Sequence, residues 1–192
     1  MPTPARTSAA QIVAAGRRIL EAQGLDGLTM QRVAAAVGVR APSLYKRVEG
    51  RNELVRLIAV DVAHELSTIV EAAATTGDPA RDLVAVATAF RAFALANPEA
   101  YALLFRRLPE GLRAEIDMGS PGFEALFRTV RALTGEEHWL EAARTLVAWA
   151  NGFVSMELAG AFRLGGDVDE AFAYGADRIV AAISRRPAVA RR

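Results

Sequence analysis

Residues 29–51, TMQRVAAAVGVRAPSLYKRVEGR, read as a short helix, a glycine-bearing turn, a second short helix and the basic start of a third. Met30, Val33, Ala34 and Val37 recur at i, i+3, i+4 and i+7, which places one apolar helix face over about 30–37. Thr29 is a good N-cap for that helix. Gly38 stops it, and Val39-Arg40-Ala41 leads to Pro42, a first-turn residue. The second helix then covers about Pro42–Arg47, with Leu44 and Val48 turned inward. Helices this short do not hold together alone in water, so both need neighbours to pack on.

The flanking sequence supplies them. Ser8 with Gln11 three residues later is a capping-box pattern, and Ile12, Gly16, Ile19 and Leu20 then follow one helical face up to Gly24, placed to end the helix. Downstream, a long helix is expected over about 52–75, with Leu54, Leu57, Ile58, Val62 and Leu66 on one side. Asp78-Pro79 opens a fifth helix, and Asn97-Pro98 separates it from a short sixth in EAYALLF. Residues 106–122 read as a loop, a helix follows over about 122–133, and two long helices over about 136–164 and 168–184 end the pattern. No stretch alternates with period two and no repeat of about 20–50 residues is present. The prediction is an all-α chain of about nine helices. Its parts are a flexible arm over 1–7, a three-helix domain over 8–56, a helical bundle over 57–186 and a tail over 187–192.

Composition bounds the chemistry. At 192 residues the chain can bury a core as one domain or as two small ones. It holds no cysteine, which removes disulfides, thiol nucleophiles and cysteine metal sites together and fits a reducing cytosol. MPTPARTSAA has no signal-like apolar core, and no run reaches the ~20 apolar residues of a membrane span. A soluble, cytoplasmic protein without membrane contact is expected. Residues 1–56 hold nine Lys/Arg against four Asp/Glu, for +5, and the remainder holds fourteen against eighteen, for −4. A basic first third on an acidic remainder points to a nucleic-acid surface joined to something of another kind.

A helix-turn-helix needs a small residue in its first helix, a glycine able to take positive φ in the turn and a short exposed second helix. Ala34, Gly38 and Pro42–Arg47 supply these in order. The second helix enters the major groove with its N-terminal side chains at base edges. Those are Arg40, Ala41, Pro42 and Ser43, with Gln31 reaching from the preceding helix. Arg40 suits a bidentate guanine contact, and Ala41 and Pro42 suit a thymine methyl. Tyr45, Lys46 and Arg51 suit phosphates, as does Thr29 with the backbone N–H groups beside it.

Gly27-Leu28-Thr29, Val33-Ala34, Gly38-Val39, Leu44-Tyr45 and Arg51 with Leu54 together resemble the N-terminal domain of the tetracycline-repressor (TetR) family over about residues 8–60. The resemblance implies phosphate contacts at Tyr45 and Arg51. It also implies a double-stranded operator as partner and a homodimer formed by the last two long helices. The family usually carries an aromatic-bearing tripeptide after the tyrosine; this chain has Lys46-Arg47-Val48, which adds positive charge.

Leu146–Phe162 is apolar on every side apart from Asn151, Ser155 and Glu157, so it is expected to be buried all round. Gly152, Ala159 and Gly160 would allow close helix approach there. The same stretch resembles a subgroup marked by Trp-His-Gly, with Asn151-Gly152 where His-Gly is usual; Asn151 keeps hydrogen bonding and loses titration. A pocket for a small hydrophobic or amphipathic effector is expected near Phe90, Phe93, Tyr101, Phe105, Phe127, Trp149, Asn151, Phe153 and Met156, although for each residue alone core packing is the better explanation. No cofactor and no metal is expected. His64 and His138 are the only histidines, and no serine lies in a nucleophile elbow. The chain thus reads as a ligand-responsive DNA-binding regulator, a repressor released by a small molecule. The competing reading is a carrier or enzyme that uses the C-terminal cavity.

Overall fold

Ser8 opens the first helix as the capping-box pattern requires: its Oγ accepts the Gln11 N–H at 3.2 Å while Gln11 Oε1 accepts the Ser8 N–H at 2.9 Å. In the computed structural model, which describes residues 8–105, 112 and 120–184, every regular element is helical. The helices are α1 Ala9–Gly27, α2 Met30–Ala36, α3 Ala41–Leu44, α4 Arg51–Ala73, α5 Pro79–Ala96, α6 Pro98–Phe105, α7 Pro121–Thr134, α8 Trp139–Leu158 and α9 Val168–Ile183. The arm over 1–7, the tail over 187–192 and nearly all of the expected loop over 106–122 lie outside the described residues.

Two compact units emerge, divided within α4 after His64, and each is interrupted in sequence. The first takes residues 8–64 together with 97–105; the second takes 65–96 and 120–184. The sequence boundary at residue 56 assigned α6 to the C-terminal domain. In the structure α6 groups with the first unit, because α1 holds its start. Glu21 accepts the Glu99 and Ala100 N–H groups at 3.2 and 2.8 Å, and Arg17 Nη2 donates to Asn97 Oδ1 at 3.1 Å. These carboxylate contacts satisfy N–H groups that a helix start leaves open. A pattern of apolar spacing carries no trace of them.

The first unit is a layer of helices on α4. Ile12, Leu20, Leu54, Val55, Ile58 and Val62 are fully buried. Gly16 sits where α1 meets α4: a Cβ there would lie 2.9 Å from Ile58 Cδ1 and 3.4 Å from Leu54. Gly24 has φ 68° and interrupts the helical path, as expected, before one further turn to Gly27.

In the second unit Val70, Leu83, Val86, Leu126, Val130, Ala142, Ala143, Leu146 and Val180 form one apolar cluster. Here α4 and α7 meet at backbone distance: the Gly122 N–H donates to Ser67 Oγ at 2.8 Å, and a Cβ on Gly122 would lie 2.3 Å from the Ser67 carbonyl oxygen. The turn before α5 is organised by Asp82, whose carboxylate accepts Thr76 Oγ1 at 2.7 Å, Thr76 N–H at 2.8 Å and Gly77 N–H at 3.3 Å.

One expectation fails at α8. The apolar run to Phe162 implied a helix to about 164, but α8 ends at Leu158. Gly160 takes φ 62°, its N–H donates to Glu157 O at 2.9 Å, and the Ala161 N–H donates to Met156 O at 2.9 Å. This is a Schellman ending, which closes a helix whatever the polarity of the residues beyond it. Gly160 therefore terminates α8 rather than thinning it for a neighbour.

Two outcomes follow from this packing. Gly122→Ala should lower unfolding free energy by about 3 kcal/mol or more in a urea titration, since the obstructing atoms are backbone. The Asp82 carboxyl is held below its ordinary pKa, chiefly by the Thr76 hydroxyl. Its stabilising contribution is thus complete above the ordinary carboxylate range and disappears as pH falls through the lowered folded value. Thermal melts of Asp82→Asn should start lower at neutral pH and lose less than the parent on acidification.

Candidate nucleic-acid interface

The candidate interface is residues 29–51, which hold five basic residues against the single acidic Glu49. Thr29 caps α2, with Oγ1 accepting the Arg32 N–H at 3.3 Å, and keeps its hydroxyl proton to donate. Met30, Val33 and Ala34 are buried and Gln31 and Arg32 exposed, so the apolar pattern correctly orients the helix. Gly38 has φ 72° with open space around it, and the chain closes α2 through Gly38 N–H to Ala35 O at 3.2 Å and Val39 N–H to Ala34 O at 3.0 Å. That Schellman ending turns the chain sharply between α2 and α3.

Arg40 is the N-cap residue of α3 and its side chain makes no capping bond. Pro42 falls in the first turn, as expected. The helix itself ends at Leu44, three residues short of the expected Arg47, and continues as tight turns in which Leu44 O accepts from Arg47 N–H at 2.8 Å and Val48 N–H at 3.0 Å. Leu44 and Val48 are buried at 1% and 2% exposure, whereas Tyr45 is 55% exposed. Arg40, Pro42, Ser43, Lys46 and Arg47 are exposed and Ala41 half-buried. The first unit therefore presents Gln31, the start of α3 and the Tyr45–Arg47 corner to solvent while the residues between them anchor inward. Arg32 and Arg47 belong to this exposed set as well. Arg47 was visible beside Lys46, and Arg32 follows from the helical period once Met30 and Val33 are placed inside.

Arg51 behaves differently. It is partly buried, with Nε donating to Leu28 O at 2.8 Å and Nη2 to Leu25 O at 2.6 Å. Arg32 Nη1 donates to Gly27 O at 2.9 Å.

The residues expected to line an effector pocket lie on α5, α6, α7 and α8. Tyr101 and Phe105 lie on α6 in the first unit, their rings 4.8 Å apart. In the second unit Phe127 packs against Trp139 at 5.3 Å and Phe123 at 5.9 Å. Trp149 and Phe153 join Phe172 on α9, each at 5.1 Å. Phe93 is buried, Phe90 and Asn151 are half-buried and Met156 is 49% exposed. Phe172 was absent from the expected set, although its place on one face of α9 was legible. Arg91 closes this aromatic group, 5.0 Å above the Phe172 ring. It reaches Glu157 at the end of α8 through Nε at 2.7 Å and Nη2 at 2.5 Å, and Asp169 at the start of α9 at 2.6 Å. The Glu157 hydrogen bonds raise the Arg91 pKa beyond its already high value, burial opposes them, and Asp169 adds to the rise. Among the described residues, no helix is long and apolar enough to cross a membrane and no group of three or more His, Asp or Glu side chains could hold a metal ion.

A glycine-turned pair of short helices with a basic exposed face, joined to a larger all-helical unit, is the architecture of a helix-turn-helix regulator. Residues 12–58 match the family described as bacterial regulatory proteins, tetR family, and residues 83–179 match the tetracyclin repressor-like C-terminal domain. The chain belongs to the TetR family, whose members are transcriptional regulators and not enzymes. It is 35% identical over 111 residues to an HTH-type transcriptional regulator of Mycobacterium tuberculosis, across 56% of this chain and 47% of that one. The matching part thus spans about half of that relative. A second regulator from the same organism, an uncharacterised one, is 28% identical over 190 residues, covering 95% and 84% of the two chains. Among solved structures, the Streptomyces coelicolor TetR family protein ActR, in complex with (S)-DNPA, has the same fold, with TM-score 0.69, 21% identity and 93% and 98% coverage.

The two faces of this motif differ in what they hold together. Tyr45→Ala and Lys46→Ala should each stay within about 0.5 kcal/mol of the parent in chemical denaturation. Leu44→Ala should cost about 2–5 kcal/mol, because it empties a fully buried site.

Proposed function

We propose that the chain is a dimeric transcriptional repressor that binds a palindromic operator through residues 29–47 and is released by a small hydrophobic or amphipathic effector. The observation that carries the reading is the exposure pattern of α2 and α3. Gln31, Arg40, Pro42, Ser43, Tyr45, Lys46 and Arg47 face solvent while Val33, Leu44 and Val48 are buried. Within the described residues, the side chains of Gln31, Arg40, Lys46 and Arg47 have no hydrogen-bonding or ionic partner, so their donors remain for DNA. Arg40, Ala41, Pro42 and Ser43 with Gln31 would read base edges; Thr29, Tyr45 and Lys46 would hold phosphates and set the register. Arg51 stands apart from these, with two donors on backbone carbonyls.

A second copy accounts for the exposed apolar side chains of the last two helices. Leu140, Val147, Met156 and Leu158 on α8 and Tyr174 on α9 are 37–65% exposed in the single chain. The apolar run that seemed to demand burial all round is thus buried on one side only, and pairing of α8 and α9 with their copies would cover the other. Two heads fixed by such a pairing have one spacing, and an effector that favours a dimer with another spacing lowers operator affinity. The structure of ActR with (S)-DNPA supports a small-molecule effector for this chain. The aromatic group of Trp149, Phe153 and Phe172 under Arg91 is the part of the second unit best suited to one. Asn151-Gly152 would make the chain a variant of the Trp-His-Gly subgroup, with a hydrogen-bonding amide in place of a titrating imidazole.

Gel-shift titrations on a duplex selected by the protein from random sequence test this reading. Tyr45→Ala and Lys46→Ala should weaken binding to selected and random duplexes alike, with Lys46→Ala also lowering the salt slope by about 1. Arg40→Ala should relax preference for the selected site, at a cost of about 1–3 kcal/mol there. A carrier or enzyme using the second unit alone would show little salt-dependent affinity for any duplex.

A further inference from the structure

The corner between α1 and α2 concentrates three backbone carbonyls within four residues. The helical path ends here, so the carbonyls of Gly27 and Leu28 need partners from elsewhere, while Leu25 O keeps one backbone donor, the Leu28 N–H at 3.3 Å. Two arginines provide them: Arg51, the first residue of α4, takes Leu28 O and Leu25 O along one edge of its guanidinium, and Arg32 of α2 takes Gly27 O. Leu28 is fully buried and Arg51 partly so. The next residue, Thr29, caps α2 through the Arg32 N–H. The direction in which α2 leaves this corner therefore depends on the same four residues that the arginines hold.

The chemistry needs arginine. The Nε and Nη2 donors lie in one plane on one edge, and here they meet two carbonyls three residues apart. A lysine ammonium is a point charge on a flexible stem and cannot make that planar pair. The side-on edge so engaged is thereby not open for a bidentate grip on a phosphate. A cation at this corner is favourable in any case, since the carbonyl end of α1 carries partial negative charge.

We infer that Arg51 is a positioning residue for DNA recognition: with Arg32 it brackets the α1–α2 corner and sets the orientation of α2 and α3, rather than neutralising a phosphate. This rests on the DNA-binding reading above. Seven-residue α2 and four-residue α3 cannot set their own direction, so a loosened corner displaces the reading face without changing its charge.

The test uses the full chain, the selected duplex and a random duplex, with affinities measured across salt well below the melting temperature. Arg51→Lys keeps the charge; it should melt lower and bind the selected duplex about tenfold more weakly, with the parent's salt slope. Arg51→Ala should behave likewise, its slope also unchanged. Arg32→Lys should show the same pattern in smaller measure, and serves if Arg51 variants fail to fold. The inference is overturned if Arg51→Lys binds as the parent does while Arg51→Ala lowers the slope by about 1, which marks a phosphate contact. It is equally overturned if Arg51→Lys melts lower yet binds unchanged when folded, which marks a residue important for stability alone. Failure of the parent itself to bind either duplex would instead remove the DNA-binding reading, and this inference with it.

Discussion

Seven residues of α2 and four of α3 are too few to form helices in water, and the first unit is arranged to supply what they lack. Val33, Leu44 and Val48 sink their side chains completely, Gly38 closes α2 with a left-handed turn, and Thr29 caps its start. Because the inward residues anchor the motif, the outward ones need make no contacts within the chain. The exposed basic face thus follows from how little helix there is: short elements leave most side chains on one side or the other, and the chain has sorted them by polarity.

The same economy of local devices recurs in the second unit. Gly122 lets α7 reach the backbone of α4, and Gly175 lies so close to Trp149 that an added Cβ would meet the indole Cζ2 at 2.5 Å. The Arg91 ion pairs tie α5 to both sides of the α8–α9 connection, with Phe172 beneath the guanidinium. Arg91 and Glu157 are only 12% and 17% exposed, so loss of either would strand the other's charge in a poorly solvated site. These contacts keep the aromatic group around Phe172 and the ends of α8 and α9 in one mechanical unit.

What was legible in the sequence is what short-range chemistry dictates. The Ser8–Gln11 capping box, the Thr29 cap, the Gly24 and Gly38 breaks and the Pro42 first turn all depend on neighbours within a few residues, and all stand where expected. The split of the motif into buried and exposed residues followed from the same helical period. Longer-range choices were not legible. Nothing local says that Glu21 caps a helix 78 residues away, and so the contacts of α6 with α1 were not foreseen. The end of α8 at Leu158 depends on Gly160 adopting positive φ, which the surrounding apolar residues concealed. The contact of Phe127 with Trp139 was not legible either, because it joins α7 to the start of α8.

The most direct measurement is an NMR titration of the isotope-labelled chain with its selected duplex, following backbone amides. The account predicts that the largest shifts fall on residues 29–47, with α8 amides between Ala142 and Ala150 unmoved. Shifts absent from residues 29–47, or concentrated in the second unit, would contradict it.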